Sequence, residues 1–205
     1  MLRFVAAALT GAILSSAAMA EVKITPDMAE ASFSLNGQAL TIARNQDPEA
    51  RLDDTYAKTS RDCPPFCIHP MSAADGVETI GELEVIDFLK TRVAAGEGLL
   101  IDTRVPDWFN RGTIPGAVNV PFTTLESSNP YRDDILKALG AVERGGNLDF
   151  TDALDLAMFC NGAWCDQTPR AIHDLIAAGY PADRIHYYRG GMQMWLVLGL
   201  TVQTP

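Results

Sequence analysis

From about residue 78 onward, short apolar runs alternate with segments whose apolar residues recur at helical spacing. Thr79-Ile80 predicts a short strand, and Glu82 to Val93 a helix with Leu83, Ile86 and Leu89 on one face. Gly98 to Ile101 predicts a buried strand ending at Asp102, and Ala117 to Val120 another, stopped by Pro121. A helix over Asp133–Leu139, a strand over Leu154–Phe159 and a helix over Pro169–Ala178 follow. Ile185–Tyr188 is the last predicted strand and Met192–Leu198 the last helix. Strands separated by helices imply an α/β fold, a parallel sheet with helices on both faces. Ligands of such sheets collect at the carboxyl ends of the strands.

Residues 21–77 have a different texture, and we read them as an N-terminal extension packed on a main domain of residues 78–205. Ser32-Phe-Ser-Leu35 and Ala39-Leu-Thr-Ile42 flank Asn36-Gly37-Gln38, which predicts a β-hairpin. Asn45 through Ser60 is polar and reads as irregular. Cys63-Pro-Pro-Phe-Cys67-Ile-His69-Pro-Met71 carries three prolines, which forbid a regular helix there.

Residues 1–20 read as a secretory signal: Arg3, an apolar centre, and Ala18-Met-Ala20 as the cleavage site. The expectation is an exported, periplasmic protein with no membrane association after cleavage. The formal charge of −10 comes with no basic stripe, which argues against nucleic acid as a partner. All four cysteines (Cys63, Cys67, Cys160, Cys165) lie beyond residue 20, where an oxidising compartment permits disulfides.

The chemistry concentrates in Ala157-Met-Phe-Cys160-Asn-Gly-Ala-Trp-Cys165-Asp-Gln-Thr-Pro-Arg170. Here a cysteine ends a buried strand and faces the start of the next helix. Backbone N–H groups and the positive end of the helix dipole lower a thiol pKa at such a place. The same cradle suits a small oxyanion or a persulfide. Cys165 reads either as a resolving thiol, as half of a permanent loop-closing disulfide, or as an independent thiol. Cys63 and Cys67 read as a structural disulfide or, with His69 and Met71, as soft ligands suited to Cu(I). Exchange of electrons between the two cysteine pairs is a third reading.

Further motifs give a resemblance. Leu99-Leu-Ile-Asp102-Thr-Arg104, Gly112-Thr-Ile-Pro-Gly116-Ala-Val-Asn-Val-Pro121, Phe159-Cys160, Gly179-Tyr180 and Tyr188-Arg-Gly-Gly-Met-Gln-Met-Trp195 resemble, in this order, the motifs of the rhodanese-like sulfurtransferase family. Thr113 stands where the family usually has His. The chain is also similar to an exported subgroup with a Cys-x4-Cys active-site loop and an N-terminal Cys-Pro-Pro-Phe-Cys segment.

The resemblance implies the rhodanese-like fold and a Cys160 nucleophile that carries sulfane sulfur as a persulfide, with Cys165 as the second catalytic cysteine. It further implies substrate contacts from Asn161, Gly162, Ala163, Trp164, Asp166, Gln167, Thr168 and Arg170, and a supporting pair, Asp102 and Arg104, beneath the loop. No cofactor or metal is expected. Expected partners are a small sulfur-containing anion or thiol acceptor and a periplasmic redox partner. The alternatives are a thiol–disulfide oxidoreductase using Cys160 and Cys165, and a copper- or partner-binding module built on Cys63 and Cys67. Counted to Thr168, the loop from Cys160 has eight residues rather than the family's six and contains no Arg or Lys.

Overall fold

A computed structural model describes residues 20–205. The expected export signal, apart from its last residue, lies outside the described residues. Five parallel strands form the central sheet: β3 (Glu78–Ile80), β4 (Gly98–Asp102), β5 (Val118–Asn119), β8 (Asp155–Phe159) and β9 (Ile185–Tyr188). Their spatial order is β3-β9-β8-β4-β5. Preceding them is an antiparallel hairpin, β1 (Glu30–Leu35) with β2 (Gln38–Ala43). The helices are α1 (Asp54–Ala57), α2 (Glu82–Phe88), α3 (Pro106–Phe109), α4 (Arg132–Ala138), α5 (Gln167–Ala177) and α6 (Gly191–Val197). A small second hairpin pairs β6 (Val142–Arg144) with β7 (Asn147–Asp149).

Two cores sandwich the sheet, as its period-2 alternation requires. Leu100, Ala157 and Phe159 face Val85, Ile86, Leu89, Met192 and Trp195 on one side. Ile101, Leu156 and Met158 face Leu136, Ala171, Ile172 and Leu175 on the other. Leu156 through Phe159 are all fully buried, as expected for a central strand covered on both faces. The expected α/β architecture is present.

The hairpin is present too, and its turn has the predicted chemistry. Asn36 and Gly37 both take positive φ (51° and 79°), the combination a two-residue turn of this twist needs. Ala31, Phe33 and Ile42 enter the same core as α2 and α6. The extension is therefore not draped over a finished domain; it completes one face of it.

The differences from the sequence reading are local. The helix over 82–93 changes to a π-turn at Leu89–Val93, and its buried face is Val85, Ile86, Phe88, Leu89 and Val93. Leu83 is exposed instead. The strand over 117–120 shrinks to Val118–Asn119, because it is an edge strand enclosed by Pro115 and Pro121. The stretch 45–60 is not wholly irregular: α1 forms where the Asp53 carboxylate caps the Thr55 N–H at 2.9 Å, and it carries the buried Tyr56. The β6–β7 hairpin turns on Gly145-Gly146, both at positive φ. No helix among the described residues is long and apolar enough to cross a membrane.

Because Ile42 is fully buried, Ile42→Ala should lower the unfolding free energy by about 2–4 kcal/mol in urea titrations. A loss below about 1 kcal/mol would place the hairpin outside the cooperative core.

Candidate active site

Cys160 follows the end of β8, between β4 and β9 in the sheet, and faces the N-terminus of α5. The loop after it is shaped by α6. Met192 N–H donates to the Cys160 carbonyl at 3.0 Å and Gln193 N–H to the Asn161 carbonyl at 2.9 Å. In a trans peptide the C=O and N–H point in opposite directions. Tying those two carbonyls to α6 therefore turns the Asn161 and Gly162 N–H groups back towards the sulfurs. Asn161 N–H serves Cys165 and Gly162 N–H serves Cys160. The close approach depends on Gly191, at φ +54°, where an added Cβ would lie 2.3 Å from the Cys160 oxygen.

The two thiols are free, buried and unequal. Burial raises the Cys160 pKa, but hydrogen bonds from the Cys165 thiol, the Thr168 hydroxyl and N–H, and Gly162 N–H outweigh it. The net shift is below the ordinary thiol value. Cys165 moves the opposite way, well up, because its proton is held in the bond to Cys160 and because it is buried beside that charge. When protonated, Cys160 donates instead to the Cys165 carbonyl at 3.3 Å. Thr168 is positioned by Thr103, whose hydroxyl lies 2.7 Å from its own and 3.0 Å from the Phe159 carbonyl.

Beneath the loop, Asp102 and Arg104 form a buried ion pair. Arg104 keeps its charge: burial disfavours it, but the hydrogen bonds and charge of Asp102 prevail. Its Nη1 donates to the Tyr56 hydroxyl (3.1 Å) and to Asn161 Oδ1 (3.3 Å), and Tyr56 donates in turn to Asn161 Oδ1 at 3.0 Å. Thr113, in the place of the family's usual His, donates to Asp102 Oδ2 at 2.8 Å.

The extension also covers the loop from above. Phe66 meets the Trp164 ring edge-on with centroids 5.7 Å apart, and the Arg61 guanidinium lies 3.6 Å over the same ring. His69 N–H donates to the Ala163 carbonyl at 3.0 Å, and Arg189 holds the His69 and Pro70 carbonyls. With this strap in place, Cys160 is 2% exposed and Cys165 5%.

The Rhodanese-like domain family matches residues 85–197, more than half of the chain. The chain belongs to the rhodanese-like family.

A curated relative, an HTH-type transcriptional regulator from Mycobacterium tuberculosis, is 32% identical over 114 residues, which is 56% of this chain and 41% of that protein. This chain thus spans about two fifths of that relative's length. Among solved structures, a human single-domain sulfurtransferase is similar at 26% identity with a TM-score of 0.42, covering 59% of this chain and 96% of that one. An As-Sb reductase from Leishmania major is similar at 19% identity with a TM-score of 0.43, covering 60% and 79%.

Within this rhodanese-like site, Cys160, Asn161, Gly162, Cys165 and Thr168 converge on the two sulfurs. Helix α5 starts at Gln167, so Thr168 lies inside its first turn, with Asp166 as the residue before the helix. Trp164 points to the extension and to Gln193, whose Oε1 accepts its indole N–H at 2.8 Å. Cys165 N–H donates to the Gly162 carbonyl at 2.9 Å, which commits that amide to a turn. Gln167 Oε1 is buried without a partner among the described residues. Arg170 is exposed, paired with Glu126 at 2.7 Å and set over the Phe122 ring.

Cys63 and Cys67 are joined in a disulfide. A bonded pair offers no thiolate, so the Cu(I) ligand set would lose both of its sulfur anions; the described residues contain no cluster of three or more His, Cys, Asp or Glu side chains placed to hold a metal ion.

Sequence reading missed Tyr56, Thr103, Gln193 and Arg61. It also missed the Tyr187 hydroxyl, which is buried without a partner among the described residues and lies within range of the Cys160 charge. Of these, Tyr56 had a local signal: an aromatic ring in a polar stretch, just after the Asp53 helix cap.

If the Cys165 thiol holds Cys160 as thiolate, Cys165→Ala should raise the Cys160 pKa. Thiolate ultraviolet absorbance followed against pH tests this: the first midpoint should shift upward from that of the wild type. A midpoint unchanged or lower would show that Cys165 is not the donor.

Proposed function

We propose that the protein is an exported sulfurtransferase that carries sulfane sulfur as a persulfide on Cys160. The observation that carries this reading is the thiolate cradle at Cys160, built from the Thr168 hydroxyl and the N–H groups of Gly162 and Thr168 at the start of α5. Membership of the rhodanese-like family supports it. Export is supported by the signal-like residues 1–20 and by the Cys63–Cys67 disulfide, which an oxidising periplasm would preserve.

In the proposed cycle, the Cys160 thiolate attacks the outer sulfur of a donor such as thiosulfate. The sulfur–sulfur bond of the donor breaks, sulfite leaves with its electron pair, and Cys160 is left as a persulfide anion. An acceptor thiolate then takes the outer sulfur and returns Cys160 to a thiolate. The site calls for no separate general base, because the donors around Cys160 lower its pKa and favour the thiolate. This agrees with the position of His173, exposed on α5 and bonded to the Ala73 carbonyl at 2.8 Å. The Gly162 and Thr168 donors that hold the thiolate would also hold the negative charge on the persulfide.

A second reading, a thiol–disulfide oxidoreductase, is favoured by the contact between the Cys165 thiol and Cys160. Cys165 can attack the inner sulfur of a Cys160 persulfide, expelling hydrosulfide and forming the Cys160–Cys165 disulfide.

Intact mass after incubation with thiosulfate separates the two. The sulfurtransferase reading predicts a gain of one sulfur atom in the wild type, none in Cys160→Ser, and a persistent gain in Cys165→Ser. Loss of two hydrogens without sulfur gain in the wild type, absent in Cys165→Ser, would replace it with the oxidoreductase reading.

A further inference from the structure

The four sulfurs fall into two pairs of opposite redox state and opposite accessibility. Cys63 and Cys67 form a disulfide, with Cys63 exposed and Cys67 half-buried. Cys160 and Cys165 are free thiols, 2% and 5% exposed. A folded redox partner can reach the first pair at the surface, whereas the second is buried within the loop that the strap contacts at Trp164 and Ala163.

The two pairs also sit in loops that touch, through residues enclosed by the cysteines themselves. Phe66, between Cys63 and Cys67, packs on Trp164, between Cys160 and Cys165, at 5.7 Å between centroids. On one flank of that contact Arg61 covers the Trp164 ring, and on the other His69 N–H bonds the Ala163 carbonyl. A structural staple for the extension would not need this place, since Ala31, Phe33 and Ile42 already fix the extension to the core. Phe66 is itself 45% exposed, so it contributes little as a core anchor.

We infer that the Cys63–Cys67 disulfide is the intramolecular exchange partner of Cys160 and Cys165, and passes oxidising equivalents from the surface to the buried pair. This activity does not depend on whether Cys160 also carries sulfane sulfur.

The step balances within the chain. The Cys160 thiolate attacks one sulfur of the Cys63–Cys67 bond; that bond breaks, a disulfide between Cys160 and the strap forms, and the other strap cysteine leaves as a thiolate. Cys165 then gives up its proton to that thiolate and attacks the Cys160 sulfur. The Cys160–Cys165 disulfide forms and the second strap cysteine is released as a thiolate. Two electrons move from the buried pair to the strap, and one thiolate charge moves with them. The inequality of the buried thiols suits the two roles: the thiol with the lowered pKa attacks and the one with the raised pKa resolves. The strap must slide across the loop for the attack. What holds it there is a ring edge, a cation over a ring and a few hydrogen bonds, each individually weak.

The test uses the full chain with Cys165→Ser, which removes the resolving thiol, keeps a hydroxyl donor beside Cys160 and leaves Cys160 and the strap disulfide, the groups of the first step, in place. The protein is incubated without reductant, quenched in acid, alkylated, digested and mapped by mass spectrometry. A disulfide joining Cys160 to Cys63 or Cys67 should accumulate, with the other strap cysteine alkylated. An intact Cys63–Cys67 disulfide with Cys160 fully alkylated would overturn the inference.

A second measurement follows oxidation of the Cys160–Cys165 pair by glutathione disulfide. In Cys63→Ala/Cys67→Ala the rate should fall at least about tenfold, because the accessible route is gone. A rate equal to or above that of the wild type would show that oxidant reaches the buried pair directly.

Discussion

The Arg104 guanidinium has five N–H donors and takes all of its partners from inside the protein. Nε and Nη2 bind the Asp102 carboxylate, Nη2 also binds the Gly112 carbonyl, and Nη1 binds Tyr56 and Asn161. Stripping such an ion of water costs several kcal/mol, and only a complete set of acceptors offsets it. Each acceptor comes from a different segment: the end of β4, the turn before β5, the extension and the Cys160 loop. The position of Cys160 therefore depends on all four being in place. Asp102 is equally committed, since it also accepts from the Arg104 N–H and from Thr113. A member of this family with His in place of Thr113 would have to meet the same carboxylate with a longer side chain.

Above this cation the site is governed by where the peptide planes point. Helix α6 takes the carbonyls of Cys160 and Asn161, so the following amides face inward, and α5 supplies Thr168 from the opposite side. A buried thiol would otherwise be a poor nucleophile, because burial opposes ionisation. Here local donors outweigh burial for one cysteine by loading the cost onto its neighbour. The longer loop of this chain makes that division feasible, since it brings Cys165 back against Cys160. The cost is access, because the same loop is roofed by the strap through Trp164.

The central strands, the α5 and α6 helices and the Asp102–Arg104 pair were legible in the sequence because their signals are local: apolar runs, alternation and spaced motifs. Cys160 was legible for the same reason, as a cysteine ending an apolar run before a helix. Tyr56 was not recognised, since its partners Arg104 and Asn161 lie 48 and 105 residues away. The polar stretch around it marks a lone aromatic ring after the Asp53 cap, but not which distant groups it meets. Leu83 misled because helical spacing alone does not say which of two adjacent stripes meets the core; here Val85 and Phe88 do. Trp164 could be placed in the loop but not oriented, because its orientation is set by Phe66 and Arg61 from the far end of the extension. Pairing of the cysteines was open for the same reason, since spacing permits several arrangements that only the packing of strap on loop decides.

The strap, through Trp164, covers the loop that buries Cys160. The most direct measurement is the rate at which a bulky maleimide modifies Cys160 in the wild type and in Arg61→Ala/Phe66→Ala. Those two side chains lie on the strap outside the main core and grip the Trp164 ring; Arg61 also donates to the Thr55 carbonyl at 2.6 Å. The expected result is slow modification in the wild type and an acceleration of at least about tenfold in the variant, as expected when loss of a few weak contacts opens a local segment. Equal rates in the two proteins would show that Cys160 is not gated by the strap and would contradict the account.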